Sequence, residues 1–211
     1  MNQLDILKPV IQEIRNNPFS RCQSGYTLYV NDFLIELAAT LDRNEVRDNP
    51  LFNKLTKELT EDEIKIVWSH IANSIPGFQR DNDKWTEDRQ SKYIWNLLRG
   101  NKGQSIALYN TKDNEAKWWI LDGLQRITAI VRFLTDETFF VKTKYGDFNC
   151  AQLRASTPAE QVPSVGSVLI SKNNFESHVS ACEHYIEINE GITHSEKDIQ
   201  RARDFIAVNK K

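Results

Sequence analysis

The segment Trp118-Trp119-Ile120-Leu121-Asp122-Gly123-Leu124-Gln125-Arg126 decides the fold of this 211-residue chain. Its first four residues form a hydrophobic, β-prone run, and Asp122-Gly123 supplies the residue types that end a strand in a turn. Apolar residues then recur at helical spacing, at Ile127, Ile130, Val131 and Leu134. The pattern predicts a strand that turns directly into a helix running from Leu124 to Leu134.

The composition is that of a globular protein, with 40% hydrophobic and 27% charged residues. The formal net charge of -2 excludes a protein that binds bulk nucleic acid mainly through its overall charge, so any contact with DNA is expected to be local. The three cysteines, Cys22, Cys150 and Cys182, are too few and too scattered for a disulfide framework or a paired-cysteine metal site. No segment resembles a signal peptide or a membrane span, which predicts a soluble, cytoplasmic protein.

The first part of the chain is predicted to be mostly helical. Thr60 and Glu63 form a capping box ahead of one helix, which Pro76-Gly77 brings to a stop. The other predicted elements are helices at 2–16, from Asn31 or Asp32 to Leu41 and at 48–58, and a β-prone run at Tyr26–Val30. We therefore expect residues 1–74 to form a helical N-terminal extension packed on the domain formed by residues 75–211.

The second part mixes helices with short strands. Thr86 is expected to cap a helix that ends at Gly100, and the strands Ser105–Tyr109 and Trp118–Leu121 are separated by a charged turn at 110–117. The remaining predictions are a hairpin of Phe139–Thr143 with Phe148–Leu153, strands at Ser167–Ser171 and Tyr185–Ile188 around a helix at Asn174–Cys182, and a last helix at Ser195–Val208. This mixture predicts an α+β fold.

The turn at Asp122-Gly123 has the makings of a phosphate site. A helix that starts there points backbone N–H groups and its positive end outward, and Gly123 allows a ligand to approach closely. Gln125 and Arg126 add amide and guanidinium donors. A purely structural role is favoured on these residues alone: Asp122 would cap the helix, Gly123 would make the turn, and Arg126 would pair with a carboxylate.

A second Gln-Arg pair, Gln79-Arg80, lies in an irregular stretch before Trp85. If the two pairs converge, they form a pocket with two guanidinium groups, which suits a nucleoside triphosphate or a DNA phosphate. Trp85 lies where a loop residue can cover a ligand. The alternative is that both arginines are simply solvated on the surface.

Three ordered segments resemble the ParB/sulfiredoxin-like domain that opens the GmrSD-type, modification-dependent restriction enzymes. Gln79-Arg80 with Trp85 resembles that family's "QR…W" segment, and Asp122 to Ile130 resembles its "DGQQRLTTL" signature. Tyr185 to Gly191, followed by Ser195-Glu196, resembles a third family segment. The resemblance extends from about Ile75 to Phe205, and it implies a small mixed sheet with surrounding helices.

The resemblance also implies an activity and a set of site residues. Family members are associated with nucleotide binding and hydrolysis, with sensing of modified DNA and, in some cases, with DNA nicking. The resemblance implies catalytic roles for Asp122, Gln125, Arg126 and Arg80, and it implies a site completed by Gln79, Gly123, Leu124, Trp85 and Asn189. A carboxylate such as Asp122 suits Mg²⁺ bound together with a nucleoside triphosphate, so we expect that cofactor.

Two positions depart from the family pattern. Leu124 replaces the first glutamine of the signature, and Glu187 replaces an arginine of the third segment. The histidines His178, His184 and His194 do not form the HNH nuclease pattern, which favours a stand-alone module, phage-encoded or defence-associated. A non-catalytic DNA- or protein-binding module, such as an inhibitor or a modification reader, therefore stays open, as does a phosphotransferase. Sulfiredoxin chemistry is disfavoured because the 122–126 loop has no cysteine.

Overall fold

The computed structural model describes residues 3–16, 26–79, 84–156, 166–189 and 196–209. The helices are α1 (Gln3–Asn16), α2 (Phe33–Leu41), α3 (Arg43–Val46), α4 (Glu61–Ala72), α5 (Glu87–Leu98), α6 (Leu124–Thr135), α7 (Cys150–Ala155), α8 (His178–Asn189) and α9 (Glu196–Asn209). The strands are β1 (Tyr26–Tyr29), β2 (Ile106–Thr111), β3 (Asn114–Asp122) and β4 (Ser167–Phe175). The fold is α+β, as the sequence predicts.

The four strands form one mixed sheet in the order β1-β4-β2-β3. β2 and β3 are an antiparallel hairpin, whereas β4 runs parallel to β2 and antiparallel to β1. A parallel neighbour requires a long crossover, and the segment containing α6 and α7 provides it. β1 brings part of the N-terminal segment into the same sheet as the site strand β3.

The two faces of the sheet are covered by different helices. Leu108 and Ile120 belong to a large hydrophobic core that also includes buried residues of α2, α5 and α6. Tyr109 and Leu121, which alternate with them along the strands, belong to a smaller core with residues of α8 and α9. The sheet therefore lies between two helical layers, and β3 ends between them.

Several helices begin where the sequence predicts. The capping box of α4 is present, because Thr60 Oγ1 accepts a hydrogen bond from the Glu63 N–H and the Glu63 carboxylate accepts one from the Thr60 N–H. Thr86 caps α5 by accepting from the Arg89 N–H, and Gly100 follows that helix with a φ of +90°. In the described parts of the chain, no helix has the length and apolar character needed to cross a bilayer.

The predicted short helix at 48–58 is wrong. The region instead forms two 3-10 turns, Pro50–Asn53 and Thr56–Glu58. Asn49 holds the first turn by accepting a hydrogen bond from the Leu51 N–H. Local side-chain bonds of this kind compete with a regular helix.

The predicted hairpin at 139–153 is also wrong. It is reduced to one bridge between Val141 and Phe148, after which α7 begins. Asn149 and Gln152 explain the change, because they form a reciprocal capping box that starts a helix where the apolar run resembles a strand.

The region before the last helix needs two corrections. β4 extends to Phe175, so the predicted start of a helix at Asn174 is too early. The predicted strand Tyr185–Ile188 is the end of α8, in which Tyr185 is buried at one helical turn from Ala181. The hairpin turn between β2 and β3 is also shorter than the predicted 110–117, because only Lys112-Asp113 lies between the strands.

Candidate functional site

Gly123 forms the junction between β3 and α6. Its φ is +102°, a conformation that residues with a Cβ rarely adopt. A Cβ placed there would lie 3.0 Å from Ile106 Cγ1 and 3.1 Å from Ile106 Cα. The glycine is therefore needed both for the turn and for the close approach of β2. It is also the N-cap of α6, so the predicted capping by the Asp122 side chain is wrong.

Arg126 lies in the first turn of α6, and its side chain is only 10% exposed. Its Nη2 donates to Asp122 Oδ2 at 2.6 Å and to the Ser105 carbonyl at 3.1 Å. Its Nη1 donates to Gln104 Oε1 at 3.1 Å. Arg126 pairs with a carboxylate, as expected for a purely structural role of the motif. That carboxylate is Asp122, which belongs to the same motif.

Asp122 is the more accessible member of this ion pair, with a side chain that is 32% exposed. Arg126 holds its Oδ2, and no described residue donates a hydrogen bond to its Oδ1. The carboxylate lies at the positive end of α6, where backbone N–H groups of the first turn have no partner within the helix. The pair thus presents one fixed carboxylate oxygen beside a set of N–H donors.

The two glutamines of the predicted site connect its parts. Gln79 Nε2 donates to the carbonyls of Ile120, at 3.2 Å, and of Leu121, which fixes the segment before residue 80 against the end of β3. Gln125 Oε1 accepts from the backbone N–H of Trp85 at 3.0 Å. The segments that carry Gln79 and Trp85 are therefore both fastened to the strand-turn-helix unit.

A small pocket of about 30 Å³ lies at this junction. Seven of the predicted site residues line it: Gln79, Trp85, Asp122, Gly123, Leu124, Gln125 and Arg126. Arg80 lies outside the described residues. Asn189 does not line the pocket, and its side-chain amide donates to the Tyr185 carbonyl. Of the two Gln-Arg pairs, the structure therefore brings Gln79, Gln125 and Arg126 together at one pocket.

The histidines and cysteines do not add to this pocket. His178 Nδ1 is hydrogen-bonded to Tyr109 Oη at 2.9 Å. His184 Nδ1 lies 3.8 Å from Oε2 of the exposed Glu187 carboxylate. His194 and Cys22 are outside the described residues. Burial raises the pKa of the Cys150 thiol to about 11 and that of Cys182 to about 12, so neither is a thiolate at neutral pH. Over the described ranges, no group of three or more His, Cys, Asp or Glu side chains is placed to hold a metal ion.

Sequence reasoning missed residues that support the site from outside the motifs. Gln104 and Ser105, just before β2, hold the Arg126 guanidinium. Arg201 of α9 donates from Nη1 to the Gln79 carbonyl at 2.9 Å. These partners are between 21 and 122 positions away in the sequence, so no local pattern indicates them.

The fold and the site together define an α+β domain with a polar strand-turn-helix pocket at the start of a buried helix. The chain belongs to the family described as the N-terminal domain of the GmrSD restriction endonuclease, whose model matches residues 44–209. A search of curated proteins and a search of solved structures each found no match. The family match confirms the resemblance inferred from the three segments, while the ParB/sulfiredoxin-like assignment of the fold stays a prediction.

Proposed function

We propose that this domain binds the phosphate groups of a nucleoside triphosphate or of DNA and hydrolyses a phosphoanhydride or phosphodiester bond. Its biological setting would be restriction or a phage–host conflict. Membership of a restriction-endonuclease family supports the setting and the contact with DNA. The observation that carries the chemistry is the Asp122–Arg126 pair, which is held at 2.6 Å beside the pocket at the start of α6.

The accessible oxygen of Asp122 suits the reacting water. Arg126 fixes the carboxylate through Oδ2, so Oδ1 is oriented and available to accept a proton from a water molecule that attacks phosphorus. The positive end of α6 and the guanidinium stabilise the negative charge that develops on the phosphoryl oxygens. Asp122 would thus act as the base or orienting group, with Arg126 behind it.

The residues present fit a Mg²⁺ ion only as part of a complex with phosphates. Asp122 is a single, partly exposed carboxylate, and Mg²⁺ is commonly held by one or two carboxylates together with substrate phosphates and water. When bound, Mg²⁺ would neutralise phosphate charge next to Asp122 Oδ1. Gln79 and Gln125 would keep the pocket walls in place through their bonds to Leu121 and Trp85.

The test compares Asp122→Asn with Asp136→Asn. Asp136 forms an i,i+4 ion pair with Arg132 at the other end of α6, and its side chain is 31% exposed, close to the 32% of Asp122. Phosphate release from the four nucleoside triphosphates and nicking of supercoiled DNA are measured with Mg²⁺. We expect Asp122→Asn to lower the rate by about 100-fold or more, and Asp136→Asn to keep the wild-type rate. A wild-type rate in Asp122→Asn contradicts the proposal.

A module without turnover is the second candidate, and one observation favours it. Leu124 is only 5% exposed and lines the pocket where the family signature has a glutamine, so the wall there lacks a polar group. Such a module would bind DNA or a protein partner. Thermal unfolding with each nucleoside triphosphate and with DNA shows which of them binds, because a ligand that binds the native state raises the unfolding temperature. If the wild-type chain shows neither phosphate release nor nicking, the second candidate is favoured, whichever ligand raises the unfolding temperature.

A further inference from the structure

A cavity of about 810 Å³ lies between α2 and α3 on one side and the strands β3 and β4 on the other. Arg43 borders it on the helical side, and Trp118 and Lys172 border it on the sheet side. An adjoining cavity of about 470 Å³ shares Arg43 and is also lined by Arg47. The two cavities together are called the α3 groove below. The groove shares no lining residue with the pocket at Asp122.

Two arginines of the α3 groove have no carboxylate partner. The Arg47 N–H donates to the Arg43 carbonyl at 3.2 Å, so the two residues lie one helical turn apart and on the same side. Both side chains are exposed. Arg99, Arg126 and Arg132 each form an ion pair with a carboxylate, whereas Arg43 and Arg47 form none with any described residue. Two guanidinium groups are therefore available to a ligand along the groove.

Lys172 adds a third cation beside Arg43. Its Nζ lies 4.5 Å from the centroid of the Trp118 ring, and this cation–π contact holds the ammonium at the groove wall. Burial and, second, the positive charge of Arg43 lower the pKa of Lys172. Two cations that share one concave wall repel each other, and an anion between them is attracted by both. The wall at Arg43 and Lys172 therefore suits a bound anion.

The two carboxylates that line the groove do not neutralise these cations. Neither Glu36 nor Glu115 forms an ion pair with Arg43 or with Lys172 over the described part of the chain. Burial and, second, the charge of Asp32 raise the pKa of Glu36, so the charge that acts most on Glu36 is another acid. Repulsion by the carboxylates directs an anion toward the cationic side of the groove.

The outer edge of β3 connects the α3 groove to the pocket at Asp122. Asp42, next to Arg43 in the chain, forms a β-bridge with Lys117 on this edge. Farther along the strand, Gln79 of the pocket donates to the Ile120 carbonyl at 3.2 Å. Three residues of extended strand correspond to about 10 Å, which is the length of about three base pairs of DNA. A duplex along this edge can therefore reach both places.

We propose that the α3 groove holds the backbone of duplex DNA, with Arg43, Arg47 and Lys172 contacting phosphates of the strand whose reacting phosphate lies at Asp122. The assignment rests on the proposed function and names DNA as the partner of its site. The connection along β3 favours DNA over an acidic protein. A phosphodiester chain supplies both a backbone for the groove and a phosphate for the pocket, whereas an acidic protein supplies only carboxylates.

The experiment compares Arg43→Gln/Arg47→Gln with Lys65→Gln/Lys144→Gln, which removes the same charge. Lys65 and Lys144 are 72% and 71% exposed, and neither lines the groove. Binding to a short DNA duplex is measured by fluorescence anisotropy between about 50 and 200 mM salt. We expect the groove variant to bind DNA roughly 10- to 100-fold more weakly. Its plot of log affinity against log salt should lose about 2 from the slope, since each phosphate contact contributes about 1.

The control variant should keep the wild-type slope, and both variants should unfold at the wild-type temperature, because the replaced side chains are exposed. Wild-type affinity and slope in the groove variant would overturn the assignment and leave the proposed function in place. Equal losses in the control would also overturn it, because they would reflect net charge alone.

Two further outcomes separate the partner from the reaction. Polyglutamate is the second probe. If the wild type binds polyglutamate through these arginines and does not bind DNA, the groove belongs to an acidic protein partner and the assignment to DNA is wrong. If the wild type binds no DNA but releases phosphate from a nucleoside triphosphate, the DNA assignment fails and the hydrolytic function stands.

Discussion

The two ends of α6 carry the same chemical pair in different surroundings. At the N-terminal end, Arg126 Nη2 lies 2.6 Å from Asp122 Oδ2. At the C-terminal end, Arg132 Nη2 lies 3.3 Å from Asp136 Oδ2, and both pairs have i,i+4 spacing. Arg126 is 10% exposed and lies beside the pocket, whereas Arg132 is 33% exposed. The same spacing therefore produces one pair with a largely buried arginine, the enclosed pair, and one pair with a partly exposed arginine, the surface pair.

The difference lies in what surrounds each arginine. Arg126 is held by Gln104 and by the Ser105 carbonyl as well as by Asp122, so its position is determined from several sides. Arg132 bonds to Gln90 Oε1 at 2.7 Å, and the contacts of its Nη2 with Glu87 and Asp136 are longer. A motif of two charged residues is thus a poor guide to function until the segments packed against it are known.

The largest effect is expected at the junction that creates the enclosed pair. Gly123→Ala introduces a Cβ at a φ of +102° and within 3.0–3.1 Å of Ile106, which should lower the free energy of unfolding by roughly 2–5 kcal/mol. Gly103→Ala is the control, because Gly103 has a φ of +59° and nothing within 4 Å of the added atom, so only about 1–2 kcal/mol is expected. Urea unfolding measures both. Equal losses would show that the contact with Ile106 is unimportant.

The sequence predicts the parts of the molecule that depend on local patterns. The end of β3, the turn at Gly123 and the start of α6 follow from a hydrophobic run, a glycine and helical spacing within a few residues. The end of α8 does not, because Tyr185-Ile186-Glu187-Ile188 alternates like a strand and is helical only through its burial against neighbouring helices. Tertiary packing decides such short segments.

The site is predictable to the same limited extent. The sequence indicates the pocket residues of the two motifs, since Gln79 and Gln125 each precede an arginine in a repeated Gln-Arg pair. It does not indicate Arg201, which lies in the last helix, α9, and matters through its hydrogen bond to the Gln79 carbonyl. Nor does it separate Arg126 from Arg132, because the hydrogen-bond partners Gln104 and Ser105 of Arg126 belong to a different segment.

A smaller effect is expected from removing each arginine in turn. Arg126→Ala removes three hydrogen bonds from a largely buried side chain, so we expect a loss of about 2–4 kcal/mol in the free energy of unfolding. Arg132→Ala should cost less, about 1–2 kcal/mol, because its ion pairs are partly exposed and screened by solvent, although Gln90 Oε1 also loses a hydrogen bond. Chemical denaturation checks both values. Similar losses would mean that the two ends of α6 are equivalent in stability, whatever their role in function.

The smallest effect concerns the pH dependence of the surface pair. The hydrogen bond from the Thr138 hydroxyl, followed by those from the Thr138 N–H and Arg132, lowers the pKa of Asp136 below its ordinary value of 3.8, against an opposing effect of burial. A carboxyl with a lowered pKa in the folded state stabilises the protein above its unfolded pKa, and that contribution is lost as the pH falls through the folded pKa.

Asp136→Asn should therefore be slightly less stable than the wild type at neutral pH. The difference should begin to narrow near pH 4 and close at lower pH, because a protonated Asp136 carries no more charge than asparagine. Urea midpoints measured from neutral pH down to about pH 2.5 check this. A difference that persists unchanged at the lowest pH would mean that Asp136 acts through its shape and hydrogen bonds and not through its charge. The contrast between the two ends of α6 would then rest on packing around Arg126 alone.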